Sequence, residues 1–219
     1  MNLKASFGLP FLLFLPYYFT LFLKGKPTMF KRTLAALALS TLSVSAFAQW
    51  TVNQTDSSIS FVSVKKQHIA EAHHFNQFSG SIDKQGMFTL DIVLTSVDTG
   101  IGIRDQRMQK YLFNTDKFAV ASISANVAKL KLASMSQGQT KSSVIEASLT
   151  ISGMTKPQIV HVLLTKTSAN SFSVSSAKPL IIKASDYLLV DGIDKLKDLA
   201  KLPSIGYSVP VTFTLNLHQ

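Results

Sequence analysis

Apolar and polar residues alternate with a period of two along most of the chain beyond residue 48. Such alternation is typical of strands that bury one face and expose the other. In the first run, residues 57–64, Ile59 and Phe61 alternate with serines. We predict that the apolar positions of this run and of its counterparts face one shared interior. The counterparts are residues 88–94, 119–127, 145–151 and 207–217.

Turn signals separate these runs. Residues 83–86 and the polar stretch 134–143 each contain a glycine and predict hairpin connections. About eight strands at this spacing favour an all-β fold in one domain, either a closed barrel or a sandwich. The small inward residues Ala119, Ala121 and Ala125 favour an internal cavity over a filled core.

Two short helices interrupt the strand pattern. One is predicted over residues 104–112. The other begins with Asp191 as its N-cap, has Asp194 at N3, and ends before Pro203. Its apolar face predicts a lid over one end of the barrel. That face consists of Ile193, Leu196, Leu199 and Ala200.

The first 48 residues are predicted to lie outside the folded domain. Residues 29–48 have a basic start, an apolar stretch and a small-x-small end at 46–48, which is the pattern of a cleaved secretory signal. Cleavage there leaves residues 49–219 as the mature domain, and we expect it in the periplasm. Residues 1–28 are either foreign to the natural protein or an anchor or extended signal. We favour the first reading because Met29 begins a complete signal by itself.

Composition and charge narrow the function classes. The chain has no cysteine, which excludes a disulfide scaffold, a thiolate metal site and a cysteine nucleophile. The formal net charge is +10, but residues 1–48, which we call the leader, carry five basic groups and no acid. Residues 49–219 therefore hold 17 basic and 12 acidic residues, a net charge of +5. This ordinary value gives no reason to expect a nucleic-acid partner.

The sequence offers little catalytic chemistry. It has no glycine-rich phosphate loop and no Gly-x-Ser-x-Gly elbow. Four possible metal ligands lie close together, and they leave open a metal-dependent envelope enzyme or stress factor. In a strand, however, His73 and His74 point to opposite faces, so we predict no metal site and no cofactor. The four are His68, Glu71, His73 and His74.

Charged residues are densest at 104–110, where Arg104 and Arg107 lie one helical turn apart. A cationic row at a barrel rim suits a phosphate or a polar lipid head. The alternative is a solvated helix face with a structural Arg–Asp pair that holds the turn.

Several motifs resemble the YceI-like family of secreted polyisoprenoid-binding proteins. Residues 149–157 read LTISGMTKP, close to the family's LTIxGVTKP, and residues 103–108 correspond to its Arg-Asp-x-His-Leu segment. In that segment Arg107 replaces the histidine and Met108 the leucine. Shorter matches occur in the family's order at residues 50–52, 58–61, 75–82, 96–101 and 112–113.

The resemblance implies a single antiparallel lipocalin-like barrel with a long apolar channel. It also implies a bound isoprenoid-chain lipid, either a polyprenyl phosphate or a quinone-like molecule. We therefore expect a periplasmic binding or carrier protein without catalysis and without a membrane span in the mature form. A homodimer and a structural barrel with a filled core stay open. The head-group candidates are Arg104 and Arg107. The channel candidates are Phe61, Phe75, Phe78, Ile92, Met108, Phe113, Phe118, Ile123 and Phe213.

Overall fold

The computed structural model describes residues 50–219, and the predictions made for the leader lie outside these residues. The described chain is built mainly from antiparallel strands. The strands are β1 (Trp50–Lys65), β2 (Ile69–Phe75), β3 (Phe78–Ile82), β4 (Met87–Val93), β5 (Val97–Asp98), β6 (Val120–Asn126), β7 (Thr140–Ile151), β8 (Met154–Ser168), β9 (Ser171–Ser176), β10 (Leu180–Lys183) and β11 (Ser208–His218). The helices are α1 (Gly102–Arg107), which continues as a π-helical segment (Met108–Phe113), and α2 (Val190–Leu199).

Eight of these strands close into a barrel, which confirms the predicted fold class. The hydrogen-bonded order is β1-β3-β4-β6-β7-β8-β9-β11, and β11 returns to pair with β1. The first strand is 16 residues long and pairs with β3 at its start and with β2 at its end. Three short strands extend the barrel at its edges: β10 pairs with β11, β2 with β1, and β5 with β2.

The predicted alternation holds along the barrel wall. In β11 the five apolar positions Val209, Val211, Phe213, Leu215 and Leu217 all face the interior. In β7 the inward residues run from Ile145 to Ile151 in steps of two. Period-two burial of this kind follows from the pleat of the strand.

One inward position was predicted wrongly. Ala119 was assigned to the interior, but β6 begins at Val120, and Ala119 is an exposed residue before the strand. The carbonyl of Ala119 accepts a hydrogen bond from the backbone N–H of Leu94, so the chain is still turning into the sheet there. Ala121 and Ala125 do face the interior.

The two predicted hairpin connections differ in outcome. The turn at 83–86 joins β3 to β4 as predicted, and the N–H of Gly86 donates to the carbonyl of Asp83. The connection expected at 134–143 is wrong in its bounds, because β7 already begins at Thr140. Residues 127–139 make this connection through two 3₁₀ turns, and their apolar side chains turn inward. Those side chains are Leu130, Leu132 and Met135.

Both predicted helical pieces exist, and α2 packs against the π-helical segment. Gly192 of α2 is closest: a Cβ atom there would lie 2.7 Å from the carbonyl oxygen of Tyr111. The predicted N-cap is wrong, because the helix begins at Val190, which places Asp191 in the first turn. Ile193 points into the barrel interior, as expected for the lid that was predicted at α2. The segment 108–113 packs against α2 and also lines the interior, so we use the name lid for the two pieces together. Within residues 50–219, none of the helices is long and apolar enough to cross a membrane.

Candidate functional site

The barrel contains a cavity of about 210 Å³, and its lining residues within the described range 50–219 are all apolar. All eight barrel strands contribute to the wall, and so does the lid. The sequence creates this space because β6 and β7 place small side chains inward, namely Ala121, Ala125 and Ala147. A barrel of eight strands has room for side chains alone or for one small ligand. Here the small side chains leave part of the barrel interior unfilled.

Seven of the nine predicted channel residues line this cavity. They are Phe61, Phe75, Ile92, Met108, Phe113, Ile123 and Phe213. Phe78 is buried in the surrounding core, where it pairs with Ile92 across the sheet, but it is not part of the cavity wall. Phe118 is also outside the wall. It packs over Gly153 in the β7–β8 turn, beneath the ammonium group of Lys117.

Sequence reasoning missed cavity residues at both ends of the barrel. Leu130 and Leu132 close one end, and Leu112 and Leu189 line the other. The first pair lies in short 3₁₀ turns, where neither a period of two nor a helical period reveals which side is buried. Leu112 is the last residue of one predicted helix and Leu189 precedes the other, and their apolar character was the available signal.

A column of polar side chains continues the cavity wall on the inner face of β1 and β2. Phe61 of the wall pairs across the sheet with His73, and their rings lie 5.2 Å apart. One step further, Ser63 Oγ lies 2.8 Å from Nε2 of His73. One step beyond that, Lys65 Nζ donates to Glu71 Oε1 at 2.8 Å. The face therefore changes from apolar to neutral polar to charged along its length.

Arg104 completes the charged end of this column. Its Nη1 donates to Glu71 Oε2 at 2.8 Å, its Nε to Thr99 Oγ1 at 2.8 Å, and its Nη2 to the carbonyl of Thr99 at 2.6 Å. The carboxylate of Asp105 accepts from the backbone N–H of Thr99. The hydrogen bond from Lys65 and the neighbouring guanidinium of Arg104 hold the pKa of Glu71 below its ordinary value.

The two predicted head-group arginines therefore both have partners in the fold. Arg104 is held by Glu71 and Thr99. Arg107 Nη1 donates to the carbonyl of Leu199 at 3.4 Å, at the end of α2. A cation suits this position because the last carbonyls of a helix carry partial negative charge.

The histidine cluster does not converge. His73 is 3% exposed, whereas the side chain of His74 is 51% exposed and lies 3.4 Å from the carboxylate of Asp98. The expectation that adjacent strand residues point to opposite faces is confirmed. His68 lies in the exposed turn between β1 and β2, and Glu71 belongs to the charged column. Among residues 50–219, no group of three or more histidine, aspartate or glutamate side chains is arranged to hold a metal ion.

His73 has one further property. Its Nδ1 is buried and has no hydrogen-bond partner among residues 50–219. Burial, with a smaller contribution from the charge of Arg104, lowers the pKa of His73 below its usual value of 6.5. The imidazole is therefore neutral at neutral pH.

A comparison with models of known protein families gives a match over the barrel. The YceI-like domain matches residues 50–217. The chain belongs to the YceI-like family. The match spans all of the barrel strands but for the final residue of β11, so the family assignment covers the cavity, the polar column and the lid.

Two solved structures show the same architecture. A polyisoprenoid binding domain from Saccharophagus degradans, described as implicated in plant cell wall breakdown, is 36% identical, with a TM-score of 0.76 over 77% of this chain and 97% of that chain. BcnA of Burkholderia cenocepacia is 21% identical, with a TM-score of 0.57 over 75% of this chain and 98% of its own, and it supports the fold alone. A comparison with curated protein sequences gives no significant match.

Proposed function

We propose that this protein is a periplasmic carrier that holds an isoprenoid-chain lipid in its barrel and catalyses no reaction. The observation that carries the proposal is the cavity in the barrel, whose lining in the described part of the chain consists of apolar side chains. Such a site has no group that could act on a substrate, but it is complementary to a hydrocarbon chain. The similarity to the polyisoprenoid binding domain from Saccharophagus degradans supports the lipid class.

Burial of the chain supplies the affinity. Each methylene moved from water into an apolar site contributes about 0.8 kcal/mol. A few isoprene units can therefore bind tightly without a polar contact. Branched, flexible chains are suited to a wall that mixes aromatic rings such as Phe61 and Phe213 with small residues such as Ala125.

Native mass spectrometry of protein purified from its own cell envelope tests the ligand class. We expect a co-purifying mass that corresponds to an isoprenoid lipid. Protein that carries no lipid, and that also fails to bind added polyprenol or prenylquinone, would refute the proposal in favour of a structural barrel.

A cavity-filling variant tests whether the lipid binds inside the barrel. Ala125→Leu places a larger side chain inside the cavity, and we expect it to weaken lipid binding at least about tenfold, since the new methyl groups displace methylenes of the ligand. The matched control is Ser124→Val, on the exposed outer face of the same strand. Binding that is equally strong in both variants would place the lipid outside the barrel.

The periplasmic location rests on the leader sequence. Cleavage after Ala48 gives a mature protein that begins at Gln49. N-terminal sequencing of the protein from the envelope fraction checks this site. A mature form that keeps residues 7–23 would contradict the proposed release into the periplasm.

A further inference from the structure

His73 combines three features that the fold alone does not explain. It is 3% exposed, its Nδ1 has no hydrogen-bond partner, and its ring packs against Phe61 of the cavity wall. An unpaired buried polar group costs about 1–3 kcal/mol, so buried nitrogen atoms are normally paired. An unpaired Nδ1 beside the wall of a ligand cavity indicates a partner that arrives with the ligand.

The charged side chains around His73 favour an uncharged partner for its Nδ1. The charged groups that act on His73 are Lys65, Glu71, Arg104 and Asp105, two cations and two anions. The cations are already held by the carboxylate of Glu71 at 2.8 Å each. A phosphate at His73 would bring its charge into a set that is already balanced, next to that carboxylate. An uncharged oxygen brings no such repulsion and needs only one hydrogen bond.

We propose that Nδ1 of His73 binds the uncharged oxygen, a hydroxyl or a carbonyl, at the end of the isoprenoid lipid held in the cavity. The proposal rests on the proposed function. Ser63 makes both versions feasible, since its hydroxyl can either donate to Nε2 or accept from it. When the Ser63 hydroxyl donates to Nε2, the imidazole proton is on Nδ1, which donates to a carbonyl of the ligand. When Ser63 accepts from Nε2, Nδ1 has no proton and accepts a hydrogen bond from a hydroxyl of the ligand. The Phe61 ring lines the cavity and packs against the imidazole, so this contact lies next to the cavity wall.

Two substitutions test the roles of the two ring nitrogens of His73 independently. The amide of asparagine reaches the position of Nδ1, and the amide of glutamine reaches that of Nε2. We expect His73→Asn to retain the preference for an oxygen-bearing ligand. We expect His73→Gln to retain the contact with Ser63 and to lose that preference. His74→Gln, on the opposite face of the same strand, is the matched control.

The measurement compares three probes with the same number of isoprene units: a polyprenol, the corresponding hydrocarbon and the polyprenyl phosphate. We expect the wild-type protein and His74→Gln to bind the polyprenol about tenfold more tightly than the hydrocarbon, the effect of one good hydrogen bond. In His73→Gln the two affinities become equal because the affinity for the polyprenol falls. The phosphate gains nothing over the polyprenol in the wild-type protein.

The outcomes distinguish this inference from the proposed function. A wild-type protein that binds none of the probes refutes both. Equal binding of polyprenol and hydrocarbon by the wild type refutes the role of His73 and leaves the carrier function intact. Tighter binding of the phosphate refutes the uncharged head group.

A second measurement needs no variant. In ¹⁵N NMR spectra of the wild-type protein, the Nδ1 resonance of His73 should shift when polyprenol binds and stay in place with the hydrocarbon. Identical spectra with both ligands would overturn the proposal, even where the His73 variants do not fold.

Discussion

Phe172 and Phe213 show how the cavity changes the role of a single side chain. Both lie on barrel strands and both border the cavity. Phe172 is 1% exposed and packs edge-on against Trp50, with the ring centres 4.8 Å apart. Phe213 is only half-buried, although it sits in the middle of β11. The first ring is part of a packed core, and the second forms the wall of an open space.

Alanine substitutions should separate these roles. Phe172→Ala is expected to lower the free energy of unfolding by about 3–5 kcal/mol, since it removes a packed ring and leaves a new void. Phe213→Ala should cost about 1–2 kcal/mol less, because its ring is only half-buried and loses fewer packing contacts. Chemical denaturation measures both values, with the outward-facing Thr212→Ala as the control. Equal losses for the two phenylalanines would mean that the barrel is filled around Phe213.

Burial of His73 makes the free energy of unfolding depend on pH. Burial lowers its pKa in the folded protein, so below about pH 6.5 the unfolded chain takes up a proton that the folded one does not. Stability is therefore highest above that pH and falls as the pH is lowered toward the folded pKa. Acidic groups with lowered pKa values, such as Glu71, lose their contribution only at lower pH.

The expected result is a free energy of unfolding that decreases in the wild-type protein as the pH is lowered below about 6.5. His73→Phe should flatten this part of the curve. Denaturation at several pH values checks the expectation. A slope that survives in His73→Phe would assign the titration to another group.

At the scale of elements, the lid depends on a close approach of two backbones. Gly192 lets α2 pack on the π-helical segment, since an added Cβ would lie 2.7 Å from the carbonyl oxygen of Tyr111 and 2.8 Å from the Cα of Leu112. Both are backbone atoms and cannot turn away as a flexible side chain does. The glycine sets the distance at which Ile193 reaches the cavity.

Gly192→Ala should therefore destabilise the protein by about 1–3 kcal/mol through overpacking. This is opposite in sign to the gain of about 1 kcal/mol that alanine gives over glycine within a helix. Asp198→Ala, on the exposed side of α2, is the control. Thermal melts of both variants make the comparison, and a more stable Gly192→Ala variant would show that the lid is not tightly packed.

The elements also show what a sequence pattern can and cannot predict. Long strands such as β7 and β11 were predictable because one face is buried along their whole length. The start of α2 was not, because Leu189 occupies the N-cap without a side-chain hydrogen bond and Asp191 offered a better cap by sequence alone. Short 3₁₀ turns such as Leu132–Ser134 follow neither period, so their burial depends on the barrel around them.

The same reasoning applies to the site. The apolar wall was largely predictable, since a residue such as Ile123 lies inward by the pleat of its strand. The polar column was not, because it depends on Arg104 reaching Glu71, 33 residues away along the chain. The sequence grouped Arg104 with Arg107, its neighbour by helical spacing, whereas the fold gives the two side chains unrelated partners.

At the scale of the whole molecule, an unfilled cavity couples stability to the ligand. A lipid that binds the folded barrel and not the unfolded chain stabilises the protein by mass action, by about 2.7 kcal/mol at one hundred times the dissociation constant. We expect extraction of the lipid to lower the melting temperature, and added polyprenol to restore it in proportion to the logarithm of its concentration. Calorimetry of extracted and refilled protein tests this. A melting temperature that does not respond to lipid would contradict binding inside the barrel.

The pairing of the first strand with the last governs how the molecule reaches its fold. Residues Thr51 and His218 are partners in the barrel, so closure joins the two ends of the described chain. Contacts between residues so distant in sequence form late and make folding slow. Until β11 is in place, β1 and β9 each present an open edge that can pair with another chain. The molecule is thus most prone to aggregate just before closure, and its yield depends on how quickly the last eleven-residue strand finds its place.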